Sequence, residues 1–365
     1  MEPSSRPGPG PVSGPPTASG GGSTIRPGTV LRGRYRVQAT LGTGGMSRVY
    51  RARDLHFTGV DRQCAVKEMF NTGSDPRARH FRLANFQREA ALLATLSHPA
   101  IPRVYDFFEY RGSIYLVLEL IQGHDLETLL AQRGAPFLED DIIRWALELC
   151  DVLTFLHSHQ PEPIIFRDLK PSNVMTRPDG RVVLIDFGIA RSFAPDQKGT
   201  MIGTEGYSPP EQYRGVADVS GDIYALGATL HHLATGSDPR NETPFTFAQR
   251  PPRGLNPRIS PALEALILRC VNYAPADRFA SVNDVRDALQ QITEAALART
   301  SAAVAALPPP PSQVQPASAK APARPCGLPS ARERIDWVVT TDDEVRGSAS
   351  HVGGAVYVGS YDHHV

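Results

Sequence analysis

Long apolar runs are missing from this chain of 365 residues. No stretch reaches the roughly 18 residues that a spanning helix needs, and no basic start followed by an apolar core marks a secretion signal. Charge of one sign is missing too. Lys plus Arg and Asp plus Glu number 38 each, so no net field draws the chain to nucleic acid or a membrane surface. Cysteine is sparse. Its four copies (Cys64, Cys150, Cys270, Cys326) form no CxxC pair, which argues against a zinc site or disulfide framework and suits a reducing compartment. The expectation is a soluble cytoplasmic protein with no membrane span and no nucleic-acid partner.

What is abundant is unevenly placed. Residues 1–27 are mostly Pro, Gly, Ser and Thr, and 298–334 are rich in Ala and Pro. Both carry too little apolar surface to offset ordering entropy, and are read as a disordered lead and an extended linker. Between them, 28–297 change period. The stretch 28–120 holds β-type runs (YRVQATL, SRVYRARD, CAVKEMF, SIYLVLEL) and one helical stretch, Arg79 to Leu96, with Leu83, Phe86, Ala90 and Leu93 at three- and four-residue steps. From 121 to 297 the pattern is mainly helical, as in IIRWALELCDVLTFLHSH and IYALGATLHHLATG. A strand-rich part followed by a helix-rich part predicts an α+β, two-lobed body.

The stretch Ile164–Arg191 carries the most chemistry. FRDLKPSN is followed, thirteen residues after its Asn173, by Asp186-Phe187-Gly188. Asp168 can accept a hydroxyl proton, Lys170 can neutralise charge on a phosphate in flight, and Asn173 and Asp186 are hard oxygen ligands suited to Mg²⁺. A lone Asp-Phe-Gly would mean little, but the ordered set matches the protein-kinase signature. The chain resembles the bacterial serine/threonine protein kinases that share the eukaryotic-type kinase fold.

That resemblance implies a nucleotide half of the site. In LGTGGMSRVY, the residues Leu41, Gly42, Thr43, Gly44, Gly45, Met46, Ser47 and Arg48 form a glycine loop over the phosphates of ATP, with a strand on either side. No Gly-Lys-Ser/Thr follows, which excludes a Walker A loop, and no helix follows, which excludes a Rossmann turn. Lys67 on the CAVKE strand is placed to hold the α- and β-phosphates and to pair with a helix glutamate, Glu89. Glu68 must point to the opposite face. Val49, Ala65 and Met175 sandwich adenine in relatives, Leu118 guards the back of that slot, backbone from Glu119 to Ile121 meets the adenine edge, and Asp125 stands where an acid contacts ribose. The cofactors implied are ATP and Mg²⁺, with Mn²⁺ as its substitute.

It also implies a protein-acceptor half. Arg167 is expected to grip a phosphate on the loop from Asp186 to Glu211, with Thr200 as its acceptor and Ser192 behind it. Thr204 is expected to bond the catalytic Asp168 and Lys170. Glu211 should pair with Arg278, and Asp222 should hold the catalytic loop from beneath. Phe166 replaces the family's usual histidine and should stack on Phe187. Lys170 points to Ser/Thr acceptors in proteins, and Ser172 removes one reason to expect Arg-rich substrates. Phosphorylation of one copy by another implies a homodimer. A pseudokinase and a small-molecule phosphotransferase are the two other readings of the same residues.

Residues 335–365 alternate in a β manner around Gly353-Gly354, and GGAVYVGSYDHHV resembles part of a quinoprotein-type β-propeller repeat. His363 and His364 read as an exposed pair, not a metal site.

Overall fold

The computed structural model describes residues 24–44, 47–69, 86–87, 90–187, 203–305, 350–352 and 355–357. The chain divides into two units, Met1–Leu307 and Pro308–Val365. In the first, β1 (Val30–Leu31), β2 (Tyr35–Thr43), β3 (Ser47–Asp54), β4 (Gln63–Met69), β5 (Val104–Tyr110) and β6 (Ser113–Glu119) form an antiparallel sheet in the order β1-β2-β3-β4-β6-β5. Alternation decides its faces. Along β4, Cys64, Val66 and Glu68 are buried while Ala65 and Lys67 on the other face are half-buried. Tyr35, Val37, Tyr50, Ala52, Cys64, Val66, Phe108, Tyr115 and Val117 close one apolar cluster of this lobe.

Residues 86–87 and 90–95 are helical, within the stretch whose period predicts a helix, and Phe86, Ala90 and Leu93 are buried. Leu83 and Glu89 lie outside the described residues. The sequence pattern does not announce β5, because Asp106 and Glu109 interrupt an otherwise aromatic run.

The second lobe is built on α1 (Leu126–Arg133), α2 (Glu139–His157), α3 (Val219–Thr235), α4 (Pro252–Leu255), α5 (Pro261–Cys270) and α6 (Val282–Ala305). α2 opens on Glu139, Asp140 and Asp141, which favour the positive end of the helix dipole, and it buries Ile142, Ala146, Leu149, Leu153 and Leu156 at three- and four-residue steps. α3 is buried along nearly its whole length from Gly221 to Ala234, so it serves as the post around which the lobe packs. A Cβ on Gly227 would collide with Cys270 on α5, so the glycine sets how close these helices come. α6 runs to Ala305, past the 297 boundary read from composition, because its alanines are strong helix formers.

A small sheet, β7 (His124–Asp125), β8 (Val174–Thr176) and β9 (Val182–Leu184), falls within the second lobe's sequence and carries the loops of the site. Gly123, at φ +132, precedes it, and a side chain there would strike the Thr176 carbonyl. In the second unit β10 (Ser350–Val352) and β11 (Ala355–Tyr357) pair antiparallel on either side of Gly353 and Gly354.

Candidate active site

The loop before the 3₁₀ turn at Pro171–Asn173 brings four side chains together. Thr204 Oγ1 donates to Asp168 Oδ1 at 2.6 Å, and Lys170 Nζ donates both to Thr204 Oγ1 at 2.6 Å and to Asp168 Oδ2 at 2.9 Å. Asn173 Nδ2 donates to the Asp168 carbonyl at 2.7 Å and to Asp168 Oδ2 at 3.0 Å. With its amide nitrogen directed at Asp168, Asn173 is left to offer its oxygen elsewhere. Asp168 is buried, only 4% exposed, so these bonds act in a low-dielectric setting.

Two backbone features hold this loop. The carboxylate of Asp222, fully buried on α3, accepts from the N–H groups of Phe166 and Arg167, each at 2.8 Å, and from His157 Nε2 at 2.8 Å. Thr229 Oγ1, on the same helix, donates to the Leu169 carbonyl at 3.3 Å. Arg167 and Asp186 both adopt left-handed φ, +69° and +59°, a conformation that costs a side-chain-bearing residue energy and recurs at active sites. Phe166 is fully buried and meets Phe187 edge-on, centroids 5.0 Å apart at 81°, so the aromatic pair forms as an edge contact, not a parallel stack.

On the nucleotide side, β3 and β4 set Val49 opposite Lys67, and β6 sets Leu118 opposite Ala65. Directly opposed residues share a face, so Val49, Ala65, Lys67 and Leu118 line one side of the sheet. Met175 pairs with Asp125 in the small sheet. Lys67 Nζ makes an ion pair with Asp186, the lysine being 11% exposed and the aspartate 49%. Glu68 turns the other way and accepts from the hydroxyls of Tyr50 and Tyr115, at 2.8 and 2.9 Å. In the glycine loop the strands meet through Gly42–Val49 and Thr43–Arg48, closed by Gly44 N–H to Ser47 carbonyl at 2.8 Å. Leu41 is half-exposed at its rim.

The Glu119 N–H donates to the Arg103 carbonyl at 2.8 Å, and its side chain pairs with Arg177 at 2.9 Å. Ile121 is buried. Asp125 caps α1, accepting from Thr128 N–H at 2.8 Å and Thr128 Oγ1 at 2.7 Å, one bond to each oxygen. Gly45, Met46, Glu89, Gly188, Ser192 and Thr200 lie outside the described residues.

Below the loop, Arg278 grips Glu211 through Nη1–Oε1 at 2.6 Å and Nη2–Oε2 at 3.0 Å. Its remaining donors reach the carbonyls of Asn272, Ser220 and Tyr273. Burial pushes the Arg167 guanidinium pKa down. Sequence reasoning missed Gln212, whose Nε2 donates to the Arg167 carbonyl at 3.2 Å, and His157. Gln212 follows Glu211 directly and could have been flagged. Nothing in the sequence marks His157, which meets Asp222 only through helix packing.

Residues 35–292 match the protein kinase domain. The chain belongs to the protein kinase family. It is 36% identical over 274 residues to the serine/threonine-protein kinase PknA of Nostoc sp. (strain PCC 7120), covering 72% of this chain and 48% of that protein. With the serine/threonine-protein kinase PknB of Mycolicibacterium smegmatis the identity is 35% over 283 residues, covering 72% and 44%. The chain thus spans about half the length of these curated relatives. Among solved structures it resembles the apo form of PpkA-294, at 28% identity and a TM-score of 0.61, covering 73% of this chain and 100% of that one. The PknI kinase domain of Mycobacterium tuberculosis gives 27% and 0.57, covering 73% and 99%. The fold is that of a kinase, and the family uses ATP and a divalent metal. Among the described residues no helix is long and apolar enough to cross a membrane.

Proposed function

We propose that this protein kinase-family chain transfers the γ-phosphate of ATP to Ser or Thr hydroxyls of proteins. The observation that carries the reading is the closed set Asp168–Thr204–Lys170, with Asn173 against the same carboxylate. A hydroxyl arriving beside Thr204 finds Asp168 ready to take its proton as its oxygen bonds to the γ-phosphorus. The bond from that phosphorus to the β–γ bridging oxygen breaks, and ADP leaves with the electron pair. Lys170 offsets the charge on the phosphate in flight.

Asn173 and Asp186 supply the hard oxygens that Mg²⁺ or Mn²⁺ accepts, and the Asn173 amide orientation fits that use. When bound, the metal neutralises charge on the β- and γ-oxygens. Lys67 holds the α- and β-phosphates, with Glu89 as its helix partner. The glycine loop, from Leu41 to Arg48, covers the phosphates, and Val49, Ala65 and Met175 enclose adenine next to Ile121. Arg167, desolvated beside the catalytic Asp168, suits a loop phosphate on Thr200 placed there by a second copy of the chain.

Incubation of the purified chain with Mg-ATP, followed by phosphosite mapping with mass spectrometry, tests this. Wild type should carry phosphoserine or phosphothreonine, and Asp168→Asn and Lys67→Met should not. Equal labelling of all three, or none of wild type, would sink the reading.

A further inference from the structure

The face of the sheet turned away from Lys67 carries an acid where its pattern calls for an apolar side chain. Along β4 the buried positions read Cys64, Val66 and Glu68, and Glu68 is only 6% exposed. Cys64 and Val66 join the lobe's apolar cluster, while Glu68 meets two of that cluster's tyrosines. A carboxylate withdrawn from water is costly unless its oxygens are hydrogen-bonded.

Both of its oxygens are held, and from different strands. Oε2 accepts from the Tyr50 hydroxyl of β3 at 2.8 Å, and Oε1 from the Tyr115 hydroxyl of β6 at 2.9 Å. β4 runs between those two strands, with Glu68 directly opposite Arg48 on one side and Tyr115 on the other. The carboxylate thus straps three strands together behind the nucleotide lysine. Burial pushes both phenols up in pKa, so each stays a proton donor at neutral pH.

Tyr50 is itself fixed. Its ring is fully buried, and its oxygen accepts from Arg48 Nη1 and from the Ile25 N–H, each at 3.2 Å. Arg48 stands on the returning limb of the glycine loop, and Ile25 precedes β1. One phenol oxygen therefore links that limb, the strand of Lys67 and the segment ahead of the sheet.

Strand alternation carries the effect to the other face. Any twist of β4 that moves Glu68 also moves Lys67, its neighbour, whose Nζ pairs with Asp186. An apolar side chain at 68 would fill the space, but apolar burial is non-directional and sets no twist.

We propose that Glu68 is a positioning residue for the nucleotide: bonded to Tyr50 and Tyr115, it fixes the twist of β4 and so where Lys67 presents its ammonium to the α- and β-phosphates. This rests on the kinase reading above. None of Asp168, Lys170 or Thr204 stands on β3, β4 or β6, so the acceptor side is independent of this contact.

Calorimetric titration of the full chain with Mg-ADP and with adenosine tests it through Y115F, E68Q and E68L. Y115F keeps the ring and loses one bond, and should raise the Kd for Mg-ADP about tenfold, the scale of one net hydrogen bond. E68Q keeps the shape and one acceptor oxygen, so it reads the same loss if Y115F does not fold. E68L loses both bonds and should exceed either. Adenosine has no phosphate for Lys67 and should bind all three variants as it binds wild type. In transfer assays with myelin basic protein, kcat/KM for ATP should fall with the Mg-ADP affinity, while KM for the acceptor stays unchanged. Wild-type Mg-ADP affinity in Y115F and E68Q overturns the inference, as does an equal weakening of ADP and adenosine, which a merely loosened lobe would give. A wild type that binds Mg-ADP but transfers no phosphate overturns the kinase reading, and the two titrations still decide the role of Glu68.

Discussion

Glu211 and Arg278 form a two-pronged ion pair, with both guanidinium ends on both carboxylate oxygens at 2.6 and 3.0 Å, although the arginine side chain is wholly buried. A buried pair of this kind adds little over an apolar replacement of both partners, but removing one partner strands a charge. Glu211→Ala should therefore lower stability by about 3–5 kcal/mol. Urea unfolding followed by circular dichroism measures it, and a loss near zero would mean that Arg278 finds another anion.

Asp222 should matter more for catalysis than its distance from the reacting groups suggests. Its carboxylate satisfies two buried N–H groups, those of Phe166 and Arg167, and fixes the backbone one residue from Asp168. Asp222→Ala leaves both donors unpaired, at about 1–3 kcal/mol each. The expected outcome is a lower melting temperature together with a lower kcat. A variant with reduced stability but wild-type kcat would show that Phe166–Phe187 packing alone holds the loop.

Much of this site was legible before the fold was known, and the reason is the kind of contact involved. Glu211, Asp222 and Arg278 sit in ordered motifs whose partners the family resemblance implies, and the structure brings those groups together. Lys67 and Glu68 face opposite ways because strand alternation leaves no choice. Local backbone partners were not legible: Asp125 also caps α1, and the Glu119 N–H meets the Arg103 carbonyl. The His157–Asp222 contact could not be read from spacing, since it depends on how α2 and α3 pack. That packing is set by apolar residues that any core could contain.

Asp168→Asn should separate chemistry from architecture. Asp168 accepts from Thr204, Lys170 and Asn173, and an amide cannot accept from all three or take a proton. Phosphate transfer should fall roughly 10²–10⁴-fold, the usual worth of a general base, while ATP affinity stays near wild type. Nucleotide titration by fluorescence alongside transfer rates checks it, and a rate within threefold of wild type, about 0.7 kcal/mol, would remove Asp168 from the proton's path.

His231 predicts how the protein responds to acid. Its Nε2–H donates to the Arg250 carbonyl at 2.8 Å; burial pulls its pKa down to about 4 against the opposing effect of that hydrogen bond, with the charges of Arg250 and His232 adding to the shift and Glu242 opposing it. In the unfolded chain the imidazole returns to about 6.5. Between those values the unfolded state binds more protons, so stability is fully present above about 6.5 and drains away as pH falls toward 4. The whole swing is about 3 kcal/mol. His231→Gln keeps a donor for the Arg250 carbonyl but cannot titrate, so its unfolding free energy should fall less steeply across this window. Urea midpoints measured from pH 7 to pH 4 give the comparison. Identical slopes in wild type and variant would mean that some other group, such as His232 beside it, takes up the proton instead.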